Sequence, residues 1–554
     1  MIPTDCAVLV VGGGPCGLML ANELGRRGIS VLLVDEKPTT AFNPQANATQ
    51  ARTMEHYRRL GFADEIRALG LPPDFPTDTA YFTRYAGYEL ARFRLPSARE
   101  AREGVARLSG AWSTAELPHR VSQKFVEAVL RRHAERLAGV SIRYGWRLME
   151  FADRGGHVEA RIARVADGRE VVVRSRYLVG ADGPRSAVRQ ALGFSYLGDT
   201  GAVRDFFGGR MYAIYLRAPQ FYRVVPHAPA WMNVTFNRDR RAFMAAVDGK
   251  GEFAFHTQLK PHEDETGISA SDAHALFEAA VGAGTEAEIL SRGTWTAGFA
   301  LVAEHFQKGR VFLGGDAAHL FTPAGGLGYN TAVEDAVNLG WKLAAVLKGA
   351  AAPALLDSYE AERRPLALRN TGHARRFAES LGLFTPVPEI EDDTPEGAAA
   401  RAHAGAYLEA HTRAEFNIPG ITFGGRYDGS PVIFPDGTAP PPDVPNDYVP
   451  TGCPGARAPH LWLAPGRSLY DAFHFEWTLL RLGRSAPGGD GFLRAAAAIG
   501  LDLERVDVPS DEARDLYAAD LALIRPDQIV AWRGNSGAAA AEVIATVTGR
   551  APAP

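Results

Sequence analysis

The sequence predicts an α/β fold built from several domains. A Rossmann-like dinucleotide-binding unit carries an inserted, mostly antiparallel β-sheet and is followed by a separate C-terminal domain. Three observations point there. Val8-Leu9-Val10-Val11 runs into Gly12-Gly13-Gly14-Pro15-Cys16-Gly17, and Val31-Leu32-Leu33-Val34-Asp35-Glu36 follows, giving strand, tight turn, helix and strand. Residues 195–295 hold short alternating runs, Met211-Tyr212-Ala213-Ile214-Tyr215-Leu216 and Trp231-Met232-Asn233-Val234-Thr235-Phe236, which have the period of antiparallel strands. At 554 residues the chain is too long for one ordinary core.

The glycine turn sets the first element. Gly12 lets the chain turn, Gly14 lets the backbone approach a pyrophosphate, and Gly17 lets helix pack on strand. The free N–H groups and dipole of the helix N-terminus favour phosphates. Asp35, with Glu36 beside it, falls about 20 residues beyond the glycines, where an acid takes ribose hydroxyls. The same pattern without a ligand is a tight β–α turn.

Further on, Arg52-Thr53-Met54-Glu55-His56-Tyr57-Arg58-Arg59-Leu60 reads as a helix ended by Gly61. Residues 72–118, rich in aromatics and prolines, read as strands and loops, some of them belonging to the substrate domain. Ser122 to Leu137 reads as a helix with Ser122 as N-cap. Strand pattern returns at 171–180, and strand-loop-helix at 305–350, with a long helical stretch to Leu383. The expected domains are therefore 1–194 with 296–385 for the nucleotide, 195–295 for the substrate, 386–455 as linker and 456–554 at the C-terminus. The 386–455 segment is assigned to linker and loop because it is rich in Pro, Gly, Ala and Asp.

Composition narrows the function. A hydrophobic share of 46% with 22% charged residues is that of a globular protein, and a net charge of −4 gives no electrostatic reason to bind nucleic acid. No uncharged apolar run reaches about 18 residues, so no membrane span is expected. Three cysteines without a CxxC pair argue against a disulfide framework or zinc site. With no signal peptide, a cytoplasmic setting is expected.

Two later motifs put an Asp beside glycine after an apolar strand. They are Tyr177-Leu178-Val179-Gly180-Ala181-Asp182-Gly183-Pro184-Arg185-Ser186 and Val311-Phe312-Leu313-Gly314-Gly315-Asp316-Ala317-Ala318-His319. Each Asp is either turn chemistry or a ligand contact. The segment Pro323-Ala324-Gly325-Gly326-Leu327-Gly328-Tyr329-Asn330 then opens a helix, where backbone can lie against a flat ligand and free N–H groups can stabilise negative charge.

With these motifs in this order, the chain resembles the class A flavoprotein aromatic hydroxylases, of the p-hydroxybenzoate hydroxylase fold. The resemblance spans essentially the whole sequence. Gly455-Ala456-Arg457, Arg467-Ser468-Leu469-Tyr470-Asp471 and Ile524-Arg525-Pro526-Asp527 look like the thioredoxin-like C-terminal domain of the phenol and polyketide hydroxylase branch. The resemblance implies FAD as cofactor, held by Gly12, Gly14, Gly17, Asp35, Glu36, Gln45, Arg120, Gln123, Asp182, Asp316, Pro323, Gly325, Gly326, Gly328 and Asn330. It implies NADPH or NADH as co-substrate, visiting without a second GxGxxG, and no metal. The implied reaction hydroxylates an electron-rich aromatic, phenolic or polyketide-like, with O2 through a C4a-hydroperoxyflavin. A homodimer supported by the C-terminal domain is compatible with it.

The pocket expected between sheet and flavin draws on Tyr212, Tyr222, Trp231, Asn233 and Pro323, with Tyr215 and His227 as candidates to polarise a phenol. Three positions depart from the family pattern. Gln45 stands where an arginine is frequent, Asn47 where some phenol hydroxylases carry a histidine base, and Tyr329 where Met or Leu is usual. Asn47 is a poor base, so another group must assist deprotonation. A reductase or dehydrogenase of the same superfamily and a non-enzymatic flavin sensor are the alternatives. The halogenase signature WxWxIP is absent.

Overall fold

A computed structural model describes residues 2–200, 208–260, 262–263 and 268–550. The strand Asp5–Val11 is central to the first domain. It pairs in parallel with Val31–Asp35 on one side and Glu170–Gly180 on the other, and Val140–Tyr144 and Val311–Leu313 extend the parallel core. Val8, Leu9 and Val10 are fully buried, as a strand covered on both faces requires. The helix Pro15–Arg26 packs against Gln123–Glu135 and Leu327–Leu347. Ser122 does cap the helix position, although its hydroxyl makes no capping bond.

The second domain is a seven-stranded sheet in the order 288–297, 209–217, 252–258, 241–246, 232–236, 79–82, 89–93. Two of its strands come from the 72–118 region. The pair 79–82 and 232–236 is parallel, and the other pairs are antiparallel. One face carries Tyr212, Ile214, Phe253 and Phe255, which form a core with Phe277 of the helix Ala270–Val281. The other face carries Met211, Tyr215, Val234, Phe243, His256 and Trp295 and turns toward the nucleotide-binding domain.

The C-terminal domain has a four-stranded sheet in the order 503–508, 477–482, 521–524, 530–534. Its first pair is parallel and the other two are antiparallel, with the helix Asp490–Ala498 between the parallel strands. This is the thioredoxin-like arrangement, without a cysteine pair.

Residues 386–455 are not simply linker. Pro395–Phe416 is a 22-residue helix. Its proline sits in the first turn, where the missing N–H costs nothing, and Thr394 Oγ1 accepts from the Gly397 N–H at 3.1 Å. Alanines carry the interior, so the composition that suggested a loop is also that of a good helix. A Cβ at Gly405 would lie 2.3 Å from the Leu90 carbonyl oxygen, so this glycine lets the helix close on the sheet edge.

Two buried carboxylates fasten the C-terminal domain. Glu362 accepts from Arg525 at 2.7 and 2.9 Å, Lys342 at 2.6 Å, Asn338 at 2.7 Å and Ser430 at 2.7 Å. Glu55 pairs with Arg457 and Arg52 and accepts from Thr114 at 2.7 Å. Burial alone would raise the Glu55 pKa, but Arg457 and Arg52 outweigh it and hold it at about 2. Glu362 is likewise depressed, burial being overcome by Arg525 and Lys342. A carboxylate whose folded pKa lies below its unfolded value, near 4.3, stabilises the fold fully above that value. That contribution is lost as pH falls toward 2. The expected result is a melting temperature that drops steeply between about pH 4.5 and pH 2, measured by thermal scans across a pH series. A flat profile there would contradict the assignment.

Candidate active site

The glycine turn is built by close approach. Gly12 has φ +113°, and a Cβ there would lie 2.0 Å from the Ala181 carbonyl oxygen. A Cβ on Gly17 would lie 2.0 Å from the Gly12 carbonyl oxygen. Gly14 differs: nothing in the chain lies within 4 Å of where its Cβ would be. It is the N-cap of Pro15–Arg26 and has no side-chain cap, so open space faces unpartnered N–H groups. That cradle fits a pyrophosphate. Asp35 holds the turn from behind, accepting from the Gly13 N–H at 2.6 Å and the Lys37 N–H at 2.8 Å. Glu36 is exposed.

Cys16 packs on Gly314 and Gly315, which brings this helix start beside Asp316. Asp316 keeps accessible surface although protein groups crowd around its carboxylate. Burial raises its pKa, partly offset by His319 and Lys37. No protein group hydrogen-bonds its carboxylate among the described residues, which suits a contact to ligand hydroxyls. Asp182 is different: Ser186 Oγ donates to Oδ1 at 2.5 Å and the Val188 N–H to Oδ2 at 3.1 Å. Both oxygens are occupied with the start of the helix Ala187–Leu192.

Beyond Asp316, Gly325 and Gly326 have φ of +66° and +65° and carry the chain into Leu327–Leu347, again without a side-chain cap. Exposed Pro323 leads this loop. A Cβ on Gly328 would meet Phe321 at 3.4 Å. Asn330 ties the loop down: Nδ2 donates to Ala48 O at 3.0 Å and Gly326 O at 2.5 Å, and Oδ1 accepts from the Gln50 N–H at 2.8 Å. Glu415, from the 395–416 helix, accepts from the Gly325 N–H at 2.8 Å. Exposed Gln45 accepts from Gln123 Nε2 at 3.4 Å, and that nitrogen also donates to Glu127 at 2.6 Å. The uncapped helix start at Gly14, the Asp316 carboxylate without a protein partner among the described residues and the left-handed loop before Leu327 are the features that an extended flavin dinucleotide requires.

The candidate substrate residues divide between the two faces of the sheet. Tyr212 belongs to the core under the helix Ala270–Val281, and Tyr222 and Asn233 lie on that same side, away from the glycine loop. His227 lies tilted against Phe82 and hydrogen-bonds Gly87 O at 2.6 Å, also on that side. Tyr215 faces the nucleotide-binding domain, where its hydroxyl meets Lys124 and Glu252. Burial and then Glu252 raise its pKa, so it stays protonated. Trp231 lies against Arg120, with the guanidinium carbon 4.4 Å from the ring centroid.

His256, Phe243 and Trp295 were not singled out from sequence, yet they share the cleft-facing side. The His256 ring stacks on Phe243 at 4.5 Å with 8° between planes, and Nδ1 accepts from Trp295 Nε1 at 3.1 Å. Burial lowers its pKa to about 4. The neutral ring therefore carries its proton on Nε2, which has no protein partner among the described residues. The signal was available in Glu252-Phe253-Ala254-Phe255-His256, where alternation sets His256 opposite the phenylalanines. A small polar cavity lined by Arg52, His56, Arg369 and Asp527 lies elsewhere, against the C-terminal domain.

Comparison with known proteins gives matches over the same two regions. The family described as "FAD binding domain" matches residues 5–374, and "Aromatic-ring hydroxylase, C-terminal" matches residues 451–551. FAD-dependent monooxygenase apdD of Emericella nidulans is 31% identical over 96% of this chain and 87% of its own length. The structure of the rebeccamycin biosynthetic enzyme RebC with reduced flavin has a TM-score of 0.88 at 34% identity, covering 99% of this chain and 100% of that one. A ternary complex of aklavinone-11 hydroxylase with FAD and aklavinone has a TM-score of 0.82 at 29% identity, covering 99% and 100%. No helix among the described residues is long and apolar enough to cross a membrane.

Proposed function

The chain belongs to the FAD-dependent aromatic-ring hydroxylases, and from that premise we propose that it inserts one oxygen atom from O2 into an electron-rich phenolic or polyketide-like ring at the expense of NADPH or NADH. This reading is supported by the sheet face of Met211 and Val234, which shares one apolar cluster with Ala324 and Leu327 at the uncapped helix start after Gly326, with Phe243 and Trp295 packed against it. Bound FAD supplies the electron transfer from the nicotinamide and the activation of oxygen.

The chain's own residues set the conditions. With FAD bound, Gly14 and the N–H groups after it would hold the pyrophosphate, Asp35 would take the adenosine ribose with the lone pairs left over from its bonds to the Gly13 and Lys37 N–H groups, and Asp316 would take the hydroxyls of the linking chain. The uncapped N–H groups of Leu327 and Gly328 would stabilise negative charge on a flavin bound against this loop. Asn330 and Glu415 keep that loop in its left-handed turn. Phe243, Trp295 and Met211 exclude water from the ring being oxidised. His256, neutral above about pH 4, donates Nε2–H to the ring oxygen and so favours its deprotonated form without serving as a base.

Purified enzyme with FAD is expected to oxidise NADH or NADPH faster when phenols or polycyclic phenols are added, with a product one oxygen atom heavier. Stimulated oxidation with unaltered aromatic would favour a reductase. Binding of FAD with no stimulation by any electron-rich aromatic would favour a sensor.

A further inference from the structure

Arg120 is 6% exposed, yet its guanidinium makes no hydrogen bond to a protein group among the described residues, and Nη1 is fully enclosed. Other deeply buried arginines of this chain, Arg363, Arg457 and Arg525, are each paired with a carboxylate. Unpaired burial of a charge is costly unless something comes to meet it. Arg120 is also held in place: Trp231 lies 4.4 Å and Phe416 5.4 Å from the guanidinium carbon, and these two rings stand edge to face. Such stacking leaves the planar edge of the guanidinium, with its parallel N–H groups, as the face open to a partner.

Glu415 is the carboxylate whose charge reaches Arg120, but both of its oxygens are committed. One accepts from the Gly325 N–H at 2.8 Å and the other bonds His411 Nε2 at 3.0 Å. Through Glu415, Arg120 is placed beside the glycine loop. Through Trp231, which directly precedes the strand Met232–Phe236, it is placed at the edge of the substrate sheet. Burial lowers its pKa to about 10, which leaves it charged at neutral pH.

We propose that Arg120, packed against the edge-to-face pair Trp231 and Phe416, is a receptor for an anionic oxygen of the aromatic substrate, a carboxylate or a phenolate, at the sheet end of the cleft. It would select acidic aromatics over neutral ones of the same shape and fix the ring relative to the glycine loop. This rests on the hydroxylase reading for the identity of the cleft, but the binding itself needs no turnover.

The test uses FAD-loaded full-length enzyme and follows the flavin absorption spectrum during titration with matched probes. One pair is salicylate and salicylamide; a three-ring pair is anthraquinone-2-carboxylate and its carboxamide. The wild type is expected to bind at least one acid about tenfold or more tightly than its amide. Arg120→Met should abolish that preference, and Arg120→Lys should keep part of it. The resemblance sets Arg120 among the FAD contacts; a substrate receptor instead leaves the FAD affinity of Arg120→Met within about threefold of wild type and its ligand-free melting temperature unchanged or higher, because an unpaired buried charge is removed. A wild type without acid preference in either pair, including one that responds to no probe, would overturn the proposal. So would an Arg120→Met protein that keeps the preference, and so would one that loses FAD instead, which would assign the guanidinium to the flavin. Failure of hydroxylation with intact acid preference would count against the proposed reaction and leave the receptor standing.

Discussion

Replacing Gly14 with valine is expected to abolish FAD binding while leaving the ligand-free fold intact. Gly14 has φ −82° and ψ −170°, a conformation open to any residue, and its Cβ would enter empty space. That space is where the pyrophosphate must approach the helix start. The folded chain should lose no more than about 1 kcal/mol, the scale of a poorer N-cap. FAD affinity should fall by about 100-fold or more, roughly 2.7 kcal/mol. Gly12→Val provides the contrast, because its side chain would collide with the Ala181 carbonyl and force a left-handed backbone on a β-branched residue. That variant should fail to fold. Equilibrium flavin titration together with thermal melting of the two apoproteins separates these outcomes. A Gly14→Val protein that remains yellow would remove the pyrophosphate from this turn.

Truncating Glu362 to alanine is expected to cost about 3–5 kcal/mol, because it leaves buried charges uncompensated. Arg525 and Lys342 are both fully enclosed around it. Since Arg525 belongs to the C-terminal domain and Glu362 to the helix Ser358–Leu383, the loss should appear as loosening of that domain. Denaturant unfolding would show a lower midpoint, and limited proteolysis would release a C-terminal fragment. Glu362→Gln should cost less, since the amide oxygen still accepts hydrogen bonds. The exposed pair Arg102–Asp64 serves as a control, and Asp64→Ala should change stability by less than about 1 kcal/mol. Equal effects at the two sites would show that the buried network does not fasten the domains.

The parts of this architecture that were legible in sequence are those where backbone geometry restricts residue type. Gly12, Gly17, Gly325 and Gly326 stand where a side chain would collide or where φ is positive, so the nucleotide groove could be traced from them. Asp182 and Asp316 sit in similar motifs, yet only folding separates them. One spends its carboxylate on its own helix, and the other leaves it without a protein partner among the described residues. The 395–416 helix was hidden by composition, because Pro, Gly and Ala serve loops and also capped, closely packed helices. His256 was hidden for another reason. Its tautomer depends on Trp295 and its ring orientation on Phe243, residues on other strands that local pattern cannot pair. Tyr212 and Tyr215 illustrate the same limit, since alternation separates them but does not say which face meets the flavin. The Glu55–Arg457 and Glu362–Arg525 pairs join residues 402 and 163 positions apart, and no spacing rule reaches them.

Transfer of oxygen from O2 to an aromatic ring would take place between the bound flavin and this sheet face. It is tested most directly by the mass of the product formed under isotopically heavy O2, with NADH or NADPH and a panel of phenols and polycyclic aromatic acids. The expected product carries one heavy oxygen atom in a hydroxylated ring, formed only with FAD present and greatly reduced in Gly14→Val. An aromatic product formed without heavy oxygen, or full incorporation by the Gly14→Val protein, would contradict it.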